Sequence, residues 1–157
     1  MSRDSLLITF PHLPPTENHI RVHRWQGGMV YTKEAISYRR LFTDFVRNHY
    51  VVAVNNFVSG HTETSVYALK MEFTFETVIN KGWAKKRAKT LYKRFDVGNR
   101  RKLLEDCLVE VLGDIDDCLF FEVHLIKRMG EERGVVLTLS EVDPSEYGVP
   151  NVIRRLE

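Results

Sequence analysis

One alternating run, Val66 to Val78, constrains the fold more than any other feature of the chain. Leu69, Met71, Phe73 and Phe75 fall on one side of an extended backbone, and Lys70, Glu72, Thr74 and Glu76 on the other. A strand patterned this way has one dry and one wet face, so its sheet is covered on one side only. Two segments have the apolar stripes to cover it. From about Lys33 to Asn48, Ala35, Tyr38, Phe42 and Phe45 recur at helical spacing, widened by Ile36, Leu41 and Val46, with Thr32 as N-cap. From about Gly98 to Leu112, residues Leu103, Leu104, Cys107, Leu108, Val111 and Leu112 share one half of a second helix.

Shorter elements fill in the rest. Leu6, Ile8 and Phe10 mark a first strand, stopped by Pro11, Pro14 and Pro15. Residues 19–32 read as a hairpin turning at Gln26-Gly27-Gly28. Val51 to Val54 suit either a continuation of the first helix or a loop, and Asn55 to Thr64 read as loop. Phe121, Val123 and Leu125 alternate along a strand from about Leu119, with Gly130 to Gly134 closing a hairpin onto Val135, Leu137 and Leu139. At 157 residues and 43% hydrophobic content the chain can bury one core. The expected architecture is α+β, a small mixed β-sheet with two helices packed on one face. It forms a single domain over 1–157, with 142–157 an extended C-terminal tail.

The chemistry concentrates between Phe95 and Arg128. Asp96 precedes the second helix; Asn99, Lys102 and Asp106 lie within roughly 60° of one another on its polar side. The acidic turn Asp114-Ile115-Asp116-Asp117 follows its far end. A strand returning beside the Asp96 turn would let carboxylates from both ends converge. Oxygen-only clusters of this kind suit hard cations such as Mg²⁺, which hold phosphate oxygens and activate water. Arg100 and Arg101 add positive potential at the helix N-terminus, where a phosphate would sit. Arg100 falls on the apolar half of the wheel, which places the first turn beyond the core. Singly, each feature has an ordinary reading: a helix cap, a surface ion pair, a solvated loop. The combination carries the argument.

Net charge is only +2 and by itself points to no partner. Its distribution says more. Between Lys81 and Arg94 stand Lys81, Lys85, Lys86, Arg87, Lys89, Lys93 and Arg94 with no acidic residue, and with Trp83 and Tyr92 interleaved. This basic stretch runs straight into Asp96 and reads as a phosphate-binding arm that could take its order from DNA. Cys107 and Cys118 match neither a zinc site nor a redox pair, so free, reduced thiols in a cytoplasmic protein are expected. His12, His19 and His23 read as polar surface or DNA-contact residues rather than metal ligands. There is no signal-peptide pattern and no apolar run of membrane-spanning length, so no membrane partner is expected.

Taken together, Asp96, Gly98, Asn99, Lys102, Asp106, Leu108, Asp116 and Asp117 match the pattern Asp-x-(Asp)-Asn-x-x-Lys-x-x-x-Asp-x-Leu followed by Asp-Asp and a strand. The chain therefore resembles the RusA family of Holliday junction resolvases. Pro14-Pro15, Asn18, Tyr31-Thr32 and Tyr38-Arg39 extend the similarity to about residues 5–141. The resemblance implies a homodimeric, Mg²⁺-dependent endodeoxyribonuclease of DNA recombination or repair, with Mn²⁺ as a substitute ion and paired nicks bearing 5′-phosphates as products. It implies Asp96, Asp116 and Asp117 as metal ligands, and Asp96, Lys102 and Asp117 as catalytic residues supported by Asn99 and Asp106. Lys85, Lys86, Arg87, Lys89, Lys93, Arg94, Arg100 and Arg101 are the expected contacts to branched DNA. Gly98 departs from the pattern, because the family carries a second acidic residue there; Asp106, Asp114 or Glu105 are the carboxylates that could compensate. A catalytically weak or inactive protein that binds branched DNA without cutting it is the alternative this departure leaves open.

Overall fold

In chain order the elements are β1 (Ser5–Phe10), a hairpin of β2 (Arg21–His23) and β3 (Met29–Tyr31), helices α1 (Lys33–His49) and α2 (Val51–Ser59), β4 (Val66–Phe75), α3 (Gly98–Leu112), β5 (Phe120–Met129) and β6 (Gly134–Val142). The structure is a computed structural model and describes residues 5–16, 19–23 and 27–150. The alternating run is an inner strand of a four-stranded sheet in the order β1-β6-β4-β5. β4 pairs in parallel with β5 and antiparallel with β6, so the sheet is mixed.

Register explains why one face is dry. Leu69, Met71 and Phe73 stand beside Leu139, Leu137 and Val135 of β6, which stand beside Leu6, Ile8 and Phe10 of β1. All nine are buried, and the same core receives stripes from all three helices. These are Ala35, Tyr38, Phe42 and Val46 of α1, Val54 and Phe57 of α2, and Leu103, Leu104, Cys107, Leu108 and Leu112 of α3. The other face carries Lys70, Glu72, Thr74, Thr138 and Ser140, each only partly buried. The α+β reading with helices on one face therefore holds, with a third helix added.

That third helix is a correction, because residues 55–59 were expected as loop. Asn55-Asn56 are weak helix formers, and tertiary packing overrides them. Tyr50 breaks the backbone at φ −127° and its hydroxyl accepts from the Thr9 N–H at 3.1 Å, which redirects the chain so that Val54 and Phe57 reach the core.

The expected hairpin between the last two strands is also overturned. β5 and β6 lie on opposite sides of β4. The connection through α3 returns β5 parallel to β4, as a helical crossover does. The following loop then passes the end of β4, where the Gly130 N–H donates to the Phe75 carbonyl at 3.0 Å. Gly134 is required where β6 begins. A Cβ there would come within 2.6 Å of the Phe10 carbonyl oxygen.

Pairing slips between Tyr67–Phe120 and Ala68–Glu122, so Phe121 bulges out of β5. Its ring meets Tyr147 edge-on at 5.8 Å, and the Tyr147 hydroxyl donates to Glu122. Residues 144–147, expected as extended tail, form a 3-10 turn held against β5 by these contacts. Residues 151–157 of that tail, Asn18 and the hairpin residues 24–26 lie outside the described residues. No helix among the described residues is long and apolar enough to cross a membrane.

Candidate active site

Helix α3 positions the candidate residues at its N-terminus, along its flank and just past its end. At the N-terminus, Phe95 stacks on Phe75 of β4 with ring centroids 4.4 Å apart and planes at 8°. Its carbonyl accepts from Lys127 Nζ of β5 at 2.8 Å. The turn before the helix is thus clamped to two strands. Asp96 follows, and its Oδ1 accepts from the backbone N–H groups of Gly98 at 2.9 Å and Asn99 at 3.4 Å. That caps the helix, satisfying donors that would otherwise have no partner. A Cβ on Gly98 would stand 3.1 Å from the same oxygen, so the missing side chain gives the cap its room.

Lys102 is the hub of the flank. Its ammonium donates to Asp106 at 3.0 Å, one turn along, and to Asp117 at 2.8 Å, beyond the end of the helix. Asp106 also accepts from the Tyr31 hydroxyl at 2.5 Å. The guanidinium groups of Arg21 and Arg39 lie over the Tyr31 ring, 5.5 and 5.1 Å from its centroid. Arg39 pairs with Glu110 at 2.8 Å, fastening α1 to α3. The β2–β3 hairpin therefore reaches the acidic flank through Tyr31, and Thr32 holds it there. The Thr32 hydroxyl accepts from the Ala35 N–H and donates to the His19 carbonyl.

Asp117 reaches Lys102 because the helix ends abruptly. Gly113 takes φ +70°, and Ile115 then buries itself completely in the core. Ile115 anchors the acidic turn, with Asp114 and Asp116 left outside. The Asp116 carboxylate accepts from the Asp117 N–H at 2.6 Å and caps a short 3-10 turn over Asp117–Leu119. Hydrogen bonds to Asp117 and then Asp106 outweigh partial burial and raise the Lys102 ammonium well above the usual lysine range. The Asp117 carboxyl is lowered mainly by Lys102, with Asp116 adding to it. Lys102 is thus held in place between the Asp106 and Asp117 carboxyl groups.

The other expected cations divide into two groups. Arg100 turns inward, over the Phe75 ring at 5.7 Å and donating to the Pro14 carbonyl, and burial lowers its pKa. Arg101 pairs at 2.5 Å with Glu105, whose side chain is almost entirely buried. Both are engaged within the protein. Lys85, Lys86, Arg87, Lys89 and Arg94 are exposed and form no ion pair among the described residues. Lys93 lies over the Phe95 ring.

Carboxylate oxygens at Asp96, Asp116 and Asp117 suit a hard divalent cation in kind. They do not suit it in number as they stand. Among the described residues, no three of His, Cys, Asp or Glu gather in a metal-holding group. Asp96 is occupied by the helix cap, Asp117 by Lys102, and position 98 offers no carboxylate. Sequence reading missed Tyr31, Arg39 and Lys127 as parts of this site. Their partners are 75, 71 and 32 residues away in sequence, beyond the reach of any local pattern.

The strands and helices that hold these residues coincide with a known family. The family model described as endodeoxyribonuclease RusA matches residues 11–140. The chain belongs to the RusA endodeoxyribonuclease family, the resolvases its sequence resembles. None of the curated proteins compared with the chain matches it.

Proposed function

We propose that this protein is an endonuclease that resolves Holliday junctions by paired, symmetric nicks. The observation that carries the proposal is Lys102 held between Asp106 and Asp117 on the flank of α3, within the span of the family match. A lysine ammonium has three donors. Two are taken by Asp106 and Asp117, which fix its position and leave the third for a phosphate oxygen. Aimed in advance at the oxygen that gains charge, a fixed cation lowers the barrier without reorganising. Asp117 stays ionised because Lys102 lowers its pKa, and Asp96 holds the N-terminal turn through its cap. The arm from Lys81 to Arg94 delivers positive charge, without an ion-pair partner among the described residues, beside that turn. A C2 homodimer would present two such sites to opposed strands of a near-symmetric junction.

Mg²⁺, with Mn²⁺ as a substitute, is the ion the family reading proposes for Asp96, Asp116 and Asp117. These carboxylates do not gather into a metal-holding group among the described residues, so no step is assigned to it. The second reading is a protein that binds branched DNA and cuts it weakly or not at all. It draws on Gly98, which lacks a carboxylate and leaves Asp96 committed to capping.

One experiment separates the readings. A labelled four-way junction and a linear duplex are incubated with Mg²⁺ and either the wild type or Asp117→Asn. Symmetric nicking of the junction that disappears in Asp117→Asn, with binding retained, supports the resolvase. Tight binding without nicking in Mg²⁺ or Mn²⁺ supports the second reading, and Gly98→Asp should then raise cleavage. Equal treatment of junction and duplex would sink the substrate assignment.

A further inference from the structure

The arm carries side chains that a purely electrostatic task does not need. Trp83 is 45% exposed and Tyr92 61%, and Ile79 and Leu91 beside them are also exposed. None belongs to the hydrophobic core. Nor do these side chains build the arm, whose frame is polar. Asn80 Nδ2 donates to the carbonyls of Thr90 at 2.6 Å and Tyr92 at 3.2 Å. The Asn80 N–H donates to Leu91 O at 2.8 Å and the Lys93 N–H to Val78 O at 2.7 Å. The tip closes through Lys86 N–H to Trp83 O and Arg87 N–H to Gly82 O. Gly82 fits that closure tightly, since a Cβ there would stand 3.1 Å from Arg87 Cβ. The aromatics are presented by the frame rather than consumed by it.

Their surroundings select the ligand. Seven Lys and Arg side chains and no carboxylate lie between positions 81 and 94. A partner for such a surface must be polyanionic and must also offer flat apolar faces. A nucleic-acid strand with unstacked bases does both, because every base has a π-face and every linkage a charge. The arm's root is the Phe95–Asp96 turn, clamped by Phe75 and Lys127. The arm therefore joins the candidate active site at an anchored turn.

We propose that residues 79–92 form a base-stacking platform, with Trp83 and Tyr92 taking nucleobases unstacked at a branch point while the adjacent cations follow the phosphates. The branch-point assignment rests on the proposed resolvase reading. Bases at a crossover are the ones whose stacking the branch already interrupts, so they cost least to displace.

The test measures binding in EDTA, so that strand cutting plays no part. One probe is a four-way junction with normal nucleotides at the crossover. The other is the same junction with abasic residues there, which keeps every phosphate. Wild type should favour the base-bearing junction by about tenfold or more, the effect of one good stacked base. Trp83→Ala with Tyr92→Ala should lose that preference and fall to the affinity seen with the abasic probe. Trp83→Phe with Tyr92→Phe should keep most of it. Equal wild-type affinity for both junctions would overturn the proposal, as would an alanine variant weakened by one common factor on both. If no junction binds, oligothymidylate and its abasic analogue decide. A base preference that vanishes in the alanine variant supports the platform while the junction reading falls, and no preference overturns both.

Discussion

The cations of the arm and those of α3 are opposites. On α3 and the adjoining α1, Arg39, Arg101 and Lys102 each have a carboxylate partner, and Arg100 has a ring and a carbonyl. On the arm, Lys81, Lys85, Lys86, Arg87, Lys89 and Arg94 enter no ion pair among the described residues. A charge that is already neutralised organises its partners, whereas an uncompensated one recruits an external anion. Positive residues close in sequence thus have two kinds of work, and sequence position alone does not say which.

The largest expected effect removes the hub of the organised set. Lys102→Ala should lower the cleavage rate constant by about 10²-fold or more, as loss of one preorganised donor does. Junction affinity should fall far less, because the arm is untouched. Single-turnover cleavage and equilibrium binding on the same junction read the two quantities. Affinity lost in proportion to rate would mean that Lys102 is a phosphate contact like those of the arm.

Arg101 and Lys85 sharpen the contrast next, since both read as DNA contacts in the sequence. Arg101→Ala leaves the Glu105 carboxylate, 3% exposed, without its partner. It should cost about 1–3 kcal/mol in urea unfolding, the penalty for an unsatisfied buried group. Its effect on the salt dependence of DNA binding should be slight. Lys85→Ala should do the reverse, leaving stability within about 0.5 kcal/mol and reducing the salt slope by about one. An unchanged stability for Arg101→Ala would place it among the external cations.

How much of this was legible follows from the range of each interaction. The dry face of β4 and the stripes of α1 and α3 are local periodicities, and Leu69, Met71, Phe73, Leu104 and Leu108 were all readable as core. The Lys102–Asp106 pair was equally local. Lys102–Asp117 depended on how the chain leaves α3, which Gly113 and the buried Ile115 decide together. Amid three aspartates, Ile115 was easy to pass over as loop. The side of β4 on which β6 lies is set by the sheet as a whole, so a glycine-bounded turn was misread as a hairpin. Glu105 was legible only as a carboxylate that could stand in for the one absent at position 98; its burial against Arg101 has no signature except that arginine one turn before it.

The smallest effect concerns pH, and its sign is fixed by the same pairing. Asp117 has a lowered pKa, so its contribution to stability is present above the unfolded carboxyl range and is lost as pH falls through the folded value. Lys102 has a raised pKa, so its contribution is complete below the unfolded lysine range and is lost as pH rises through the folded value. Between about pH 5 and pH 10 the pair should therefore add a constant amount. Both side chains are about two-fifths exposed, which limits that amount to roughly 0.2–1 kcal/mol. A double-mutant cycle on Lys102→Ala and Asp117→Asn, followed by urea unfolding, should give a coupling energy equal at pH 6 and pH 8 and smaller at pH 3. A coupling that persisted undiminished at pH 3 would mean that packing rather than charge joins the two residues. The organised set would then differ from the arm in shape rather than in neutralisation.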